Sequence, residues 1–218
     1  MENSKSTNQT QNLGTGSIPR LVIGLAIPSV IAQLVTMIYN MVDRIYIGHT
    51  PNGTTAMAAL GITLPIITLI TAITNLFGMG GAPLCAISLG QKNRDRAEKI
   101  MANSFVCLVV SSVIITIGVL IFQEPILYLF GADSLTIEPA KEYTTIYILG
   151  TIFVQLTVGM NAYINTQGFT KTGMKTVLLG AVHNIILDPV FIYLFDMGIR
   201  SAALATIISQ GASCVWVI

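Results

Sequence analysis

Charge is scarce in this sequence. Asp, Glu, Lys and Arg make up 10% of its 218 residues, against about 25% in soluble domains. With 53% hydrophobic residues and a mean hydropathy of +0.74, the chain cannot cover a globular surface with polar groups, which excludes a water-soluble fold. A formal net charge of +1 gives no reason for a nucleic-acid partner. Cysteine and histidine are equally sparse. Cys85, Cys107 and Cys214 are odd in number and lie in apolar stretches, so they read as small buried hydrophobes. His49 and His183 are far apart, and no Cys/His spacing resembles a metal site. No Ser/His/Asp or Cys/His pattern stands out for catalysis. The glycine-rich Gly78–Pro83 lacks the Lys-Ser/Thr of a phosphate loop and reads as a flexible end of a helix.

What the sequence does have is long apolar runs. Crossing a hydrocarbon core takes about 20 apolar residues of helix. Six segments meet or approach that length, at roughly 18–47, 55–79, 98–122, 140–165, 175–195 and 201–218. The fold expected is all-α, a polytopic membrane protein with a six-transmembrane-helix bundle over 18–218. Residues 1–17, polar and without aromatics, read as a disordered cytoplasmic tail. With the N-terminus inside, Lys5, Arg20, Lys92, Arg94, Arg96, Lys99, Lys171 and Lys175 fall on the cytoplasmic side. Only Arg44, Lys141 and Arg200 fall outside, and this bias orients the chain in the cell membrane. The sequence stops at Ile218 inside the sixth span, so a further part of the protein is expected beyond it.

Positions spaced 4-3-4-3 share one helix face. In the first span they are Ser29, Gln33, Thr36, Asn40 and Asp43, all polar among Leu, Ile, Val and Met. Such a stripe faces other helices or a wet cavity rather than lipid. The fourth span offers Tyr143, Tyr147, Gly150, Val154, Thr157 and Asn161. The fifth offers Val177, Gly180, Asn184 and Asp188, and the sixth Ala202, Thr206, Ser209 and Ser213. Asp188 lies thirteen residues from Lys175, about 20 Å at 1.5 Å per residue, past the membrane midplane. A charged Asp there costs about 2.5–3.5 kcal/mol. Two readings of it stand open. It caps a helix restarting at Pro189, or it binds a proton or cation with help from Asn184 one turn away. Asp43 has Tyr39 one turn before it. Pro28, inside the first span, is a point where that helix can bend.

Three stretches, Leu25–Gly48, Asn161–Met174 and His183–Tyr193, resemble the multidrug and toxin extrusion (MATE) antiporters, in particular the bacterial branch of DinF-like and MepA-like drug exporters. The resemblance runs from about Pro19 to the end and implies the amino-terminal lobe of a fold of two six-helix lobes, the C-terminal lobe being a missing partner. It implies a secondary transporter, not an enzyme, that exports amphipathic, often cationic, organic molecules against an inward flow of protons or sodium. It carries cation coupling onto Asp43, Asp188, Asn184 and Tyr39, with sodium at Asp43 and Asp188 as the alternative to a proton. Gln33, Thr36, Asn40, Tyr143 and Asn161 are then expected to line the cavity, and no cofactor beyond the coupling ion is implied. Asn165 stands where many relatives carry an arginine. Two rivals are a lipid-linked-precursor flippase of the same superfamily and an intramembrane aspartyl protease. No Lys or Arg lies deep in a span, which disfavours the first, and the V-D-R and L-D-P settings of the aspartates disfavour the second.

Overall fold

A computed structural model describes residues 17–218 apart from Pro51 and Asp196, so the expected tail, except for Ser17, lies outside the described residues. The described residues form seven helices: α1 Ile18–Gly48, α2 Gly53–Gly90, α3 Arg94–Leu129, α4 Ile137–Leu149, α5 Thr151–Thr166, α6 Thr170–Pro189 and α7 Ile199–Val217. A π-helical turn, Val190–Leu194, continues α6. There is no strand among the described residues.

The helix starts follow from local chemistry. Proline in the first turn presets α1 for helix. The Asn93 side chain accepts from the Arg96 amide (3.1 Å) ahead of α3, and Asp95 places negative charge in the first turn. In the loop before α4, Asp133 Oδ1 accepts from Thr136 Oγ1 (2.7 Å), Thr136 N (2.8 Å) and Leu135 N (3.0 Å). These donors, the Thr136 hydroxyl foremost, hold its carboxyl below the ordinary Asp value.

By length and composition, α1, α2, α3 and α6 with its π turn can each cross a membrane. Helices α4 and α5 pass the same test together as a fifth span, bent by 54° at Gly150. The expected straight fourth span is therefore broken. The freed Ile148 carbonyl accepts from Thr116 Oγ1 of α3 (3.0 Å), and the Thr151 hydroxyl returns to the Tyr147 carbonyl (3.3 Å). Gly150 is needed at the bend, because a Cβ there would run into the Ile207 side chain of α7. The expected sixth span is α7, whose mean hydropathy Arg200 and Gln210 lower, and it is not among the helices long and apolar enough to cross. It packs against α4, α5 and α6 through small residues such as Ala202, Ala203 and Ala205, so it needs few lipid-facing side chains.

The remaining packing pairs α2 with α3 and α5, while α1 rests chiefly on α6. Gly78–Pro83 is no flexible end, since α2 runs through it to Gly90. Its glycines let α5 approach: a Cβ on Gly78 would stand 2.7 Å from the Gly159 Cα. Close approach of this kind, rather than burial of apolar area, drives helix association in lipid. The ion pairs of the described residues lie at the predicted outer end. Lys141 meets Glu124 (3.4 Å) and Glu138 (3.6 Å), and Arg200 meets Glu142 (2.6 Å), tying α4 to α3 and α7.

Two alanine substitutions about half a turn apart check this packing. Gly78→Ala forces backbone apart and is expected to cost about 1–3 kcal/mol. Gly80→Ala meets nothing within 4 Å and gains helix propensity of up to about 1 kcal/mol. Thermal unfolding in lipid nanodiscs should show the first lowering Tm and the second not. Equal effects would mean that the α2–α5 approach does not hold the bundle.

Candidate functional site

Asp188 is fully buried in the last turn of α6, and neither of its carboxylate oxygens has a hydrogen-bond partner. It therefore caps nothing. Helix α6 runs on to Pro189 and into a π turn, the kind of irregularity that recurs at functional sites. Asp43 of α1 lies beside it, close enough for the two carboxyls to interact, and Asp43 Oδ1 also lacks a donor. Two ionised carboxylates offer each other only acceptors. A proton shared between them, or a cation held between them, supplies what is missing.

The surroundings converge on this pair. Tyr143 and Tyr147 stack on one face of α4 with ring centroids 5.9 Å apart. Tyr143 lies within electrostatic reach of Asp43, Asp188 and Tyr39, and Tyr147 within reach of Tyr39. Asn184, one turn before Asp188, donates weakly from Nδ2 to Thr206 Oγ1 of α7 (3.5 Å), leaving its Oδ1 unpartnered. Together Asp43, Asp188, Asn184 and Thr206 present hard oxygens, suited to a proton or to an alkali cation. No cluster of three or more His, Cys, Asp or Glu forms among the described residues.

Next to this pair is a cavity of about 640 Å³ between α1, α2, α5, α6 and α7. Gln33, Thr36, Tyr39, Asn161 and Asn184 line it, joined by Asn75, Asn165, Thr206, Ser209 and Gln210. Tyr39 and Asn184 each stand one turn from an aspartate, so the cavity wall and the carboxylate pair share residues. Asn40 and Tyr143 are not among the lining residues. Asn40 is exposed and donates to the Thr36 carbonyl (2.8 Å), while Tyr143 is buried above the Gly150 bend. Pro28 is buried, and α1 stays helical on both sides of it.

Three members of the α1 stripe bond their own helix rather than a neighbour. Ser29 Oγ donates to Leu25 O (3.1 Å), Thr36 Oγ1 to Ala32 O (3.0 Å) and Asn40 to its own helix. Gln210 escaped the sequence reading because it is adjacent to Ser209 and so about 100° off the 4-3 face. Only the packing of α7 turns both toward the cavity.

The MatE family matches residues 28–190 of this sequence. The chain belongs to the MatE family. The multidrug export protein MepA of Staphylococcus aureus (strain NCTC 8325 / PS 47) is 26% identical over 199 residues, covering 91% of this chain and 44% of MepA. MepA of Staphylococcus haemolyticus (strain JCSC1435) is 29% identical over 194 residues, covering 89% and 43%. An outward-facing multidrug resistance MATE family transporter of the MOP superfamily superposes with a TM-score of 0.88 at 27% identity, covering 96% of this chain and 46% of its own. A MATE structure in complex with MaD3S gives 0.89 at 26% identity, covering 96% and 46%. The chain thus spans about half the length of these MatE relatives. Helices that meet the membrane test, and relatives of this kind, make it a multi-pass membrane protein.

If the cavity is hydrated, single cysteines at Gln33 and Asn165 should react with a water-soluble thiol reagent, once Cys85, Cys107 and Cys214 are replaced by alanine. Cysteines at Val22 and Leu69, exposed on apolar helix faces, should react at least about tenfold more slowly, because a thiol in lipid stays protonated and the thiolate is the nucleophile. Comparable rates at all four positions would mean a dry, closed bundle.

Proposed function

We propose that these helices form one wall of a cation-coupled multidrug exporter, a secondary transporter rather than an enzyme. Its substrates are amphipathic, often cationic, organic molecules held in a cavity completed by a second six-helix lobe. The N-terminus is cytoplasmic and the membrane is the cell membrane, in keeping with the Lys/Arg bias. One observation carries the reading. Asp43 and Asp188 meet without a donor between them, and Tyr39 and Asn184 join that pair to the cavity.

A proton or a sodium ion entering from outside satisfies the pair. Each unit charge crossing the field contributes about 2.3 kcal/mol per 100 mV. Neutralising the pair removes the like-charge repulsion between α1 and α6 at this point. Helix α1, which rests chiefly on α6, is the element free to respond, with Pro28 as a place for it to bend. Its movement changes the wall formed by Gln33, Thr36 and Tyr39, which displaces the bound substrate. Reciprocity follows: substrate binding must disfavour the cation by the same free energy.

Asp188→Asn keeps the shape and is cheaper to bury, so insertion should survive while gradient-driven dye efflux falls to the level of empty vesicles. Full-length protein in vesicles, with proton and sodium gradients imposed separately, tests both the residue and the ion. Efflux by the variant at the wild-type rate would remove Asp188 from the coupling.

A further inference from the structure

The two ends of the bundle are unequal in charge. Where α2 leads into α3 and α5 into α6, the described residues expose Lys92, Arg94, Arg96, Lys99, Lys171 and Lys175. None of these makes an ion pair among the described residues, whereas Lys141 and Arg200 at the opposite end both do. Asp95 and Glu98 lie among the first four cations and offset part of their charge. Lys171 and Lys175 have no such neighbours. Helices α1, α5 and α7 pack against α6. Of these, α5 and α7 carry no carboxylate, and the only ones on α1 and α6 are Asp43 and Asp188. Asp188 is thirteen residues beyond Lys175, about 20 Å along the helix. The surrounding helices thus offer the two lysines no counter-charge.

Their place on α6 says where a counter-charge comes from. Lys171, Lys175, Val182 and Ile186 fall within about 60° of one another around the helix. Thr170, Gly173 and Thr176, on the other side, are buried in the bundle. Val182 is 52% and Ile186 58% exposed. An exposed apolar face on a membrane helix meets acyl chains, and long basic side chains at its end reach the headgroups of the same lipids. We propose that Lys171 and Lys175 hold the phosphate of an anionic phospholipid whose chains lie along Val182 and Ile186. Lysine, a flexible point charge, attracts phosphate without a fixed docking geometry, which suits a lipid that exchanges. Phosphatidylcholine carries the same phosphate, but its own trimethylammonium group competes for it. Phosphatidylglycerol has no such group. The inference goes beyond the exporter reading and does not depend on it, since it needs only α6 and the bilayer.

A tryptophan placed by Val182→Trp reports on this face, in full-length protein whose native tryptophans, Trp216 among them, are replaced by phenylalanine. Its quenching by dibrominated phosphatidylglycerol and by dibrominated phosphatidylcholine, in mixed bilayers, gives the relative association of the two lipids at the site. Phosphatidylglycerol should associate about tenfold more strongly, between the effect of one lysine and that of two. The ratio should shrink in about 0.5 M NaCl. Lys171→Gln with Lys175→Gln should bring it toward one, while Lys171→Arg with Lys175→Arg should retain it. Lys141→Gln, at the opposite end, should leave it unchanged. Equal quenching by the two lipids in the protein with both lysines would overturn the proposal. A preference that persists in the double glutamine variant would overturn the assignment to these side chains. Loss of the preference on adding about 10 mM inorganic phosphate, at constant ionic strength, would mean a site for free anions and would overturn the lipid as occupant.

Discussion

Everything around Asp188 answers to one constraint: a carboxylate cannot lie unpaired in a helix bundle within lipid, yet this one meets only another carboxylate. Removing a charge from water costs several kcal/mol, and attraction to a partner must offset it. Asp43 offers repulsion instead. The arrangement is tolerable only with a proton or cation present, and in the proposed mechanism that occupancy is the variable the rest of the bundle registers.

How the bundle registers it depends on which helices are tied down. Helix α4 is held near its N-terminus to α3 and α7 by ion pairs, and near its C-terminus by the Thr116 bond to the Ile148 carbonyl. The Gly150 bend keeps its tyrosine stack within reach of the aspartates. Among the described residues, α1 makes no comparable side-chain bond to another helix. Most of its residues are exposed or half-buried, and Ser29, Thr36 and Asn40 bond their own backbone. In the proposed mechanism, a tyrosine plate tied on one side and a helix packed chiefly on α6 on the other make α1 the element that moves when the pair changes charge. Such asymmetry is what a two-state wall requires.

Side-chain periodicity revealed most of the site because helix faces are local geometry. Asp43, Tyr39, Gln33 and Thr36 share a face wherever α1 lies, and Asn184 and Asp188 share one on α6. Periodicity failed where the helix itself is irregular. The fourth span breaks at Gly150, which separates Tyr143 from Asn161 although a straight helix would align them. Gly78–Pro83 looked like a flexible end because glycine and proline weaken isolated helices. In the bundle those residues are the close contact between α2 and α5.

The sequence by itself determined a membrane-embedded, all-helical chain and the faces its polar residues share, because hydropathy and the 3.6-residue repeat are properties of the chain alone. The tertiary structure decided which faces meet. Asp43 and Asp188 are 145 residues apart in the chain, and no local rule brings their carboxyls together. Only the packing of α1 on α6 does, just as only the seat of α7 among α4, α5 and α6 turns Thr206, Ser209 and Gln210 into the same cavity. Helices in lipid associate through shape and polar contacts rather than through the hydrophobic pattern that marks them. The pattern therefore locates each helix and leaves its neighbours to the fold.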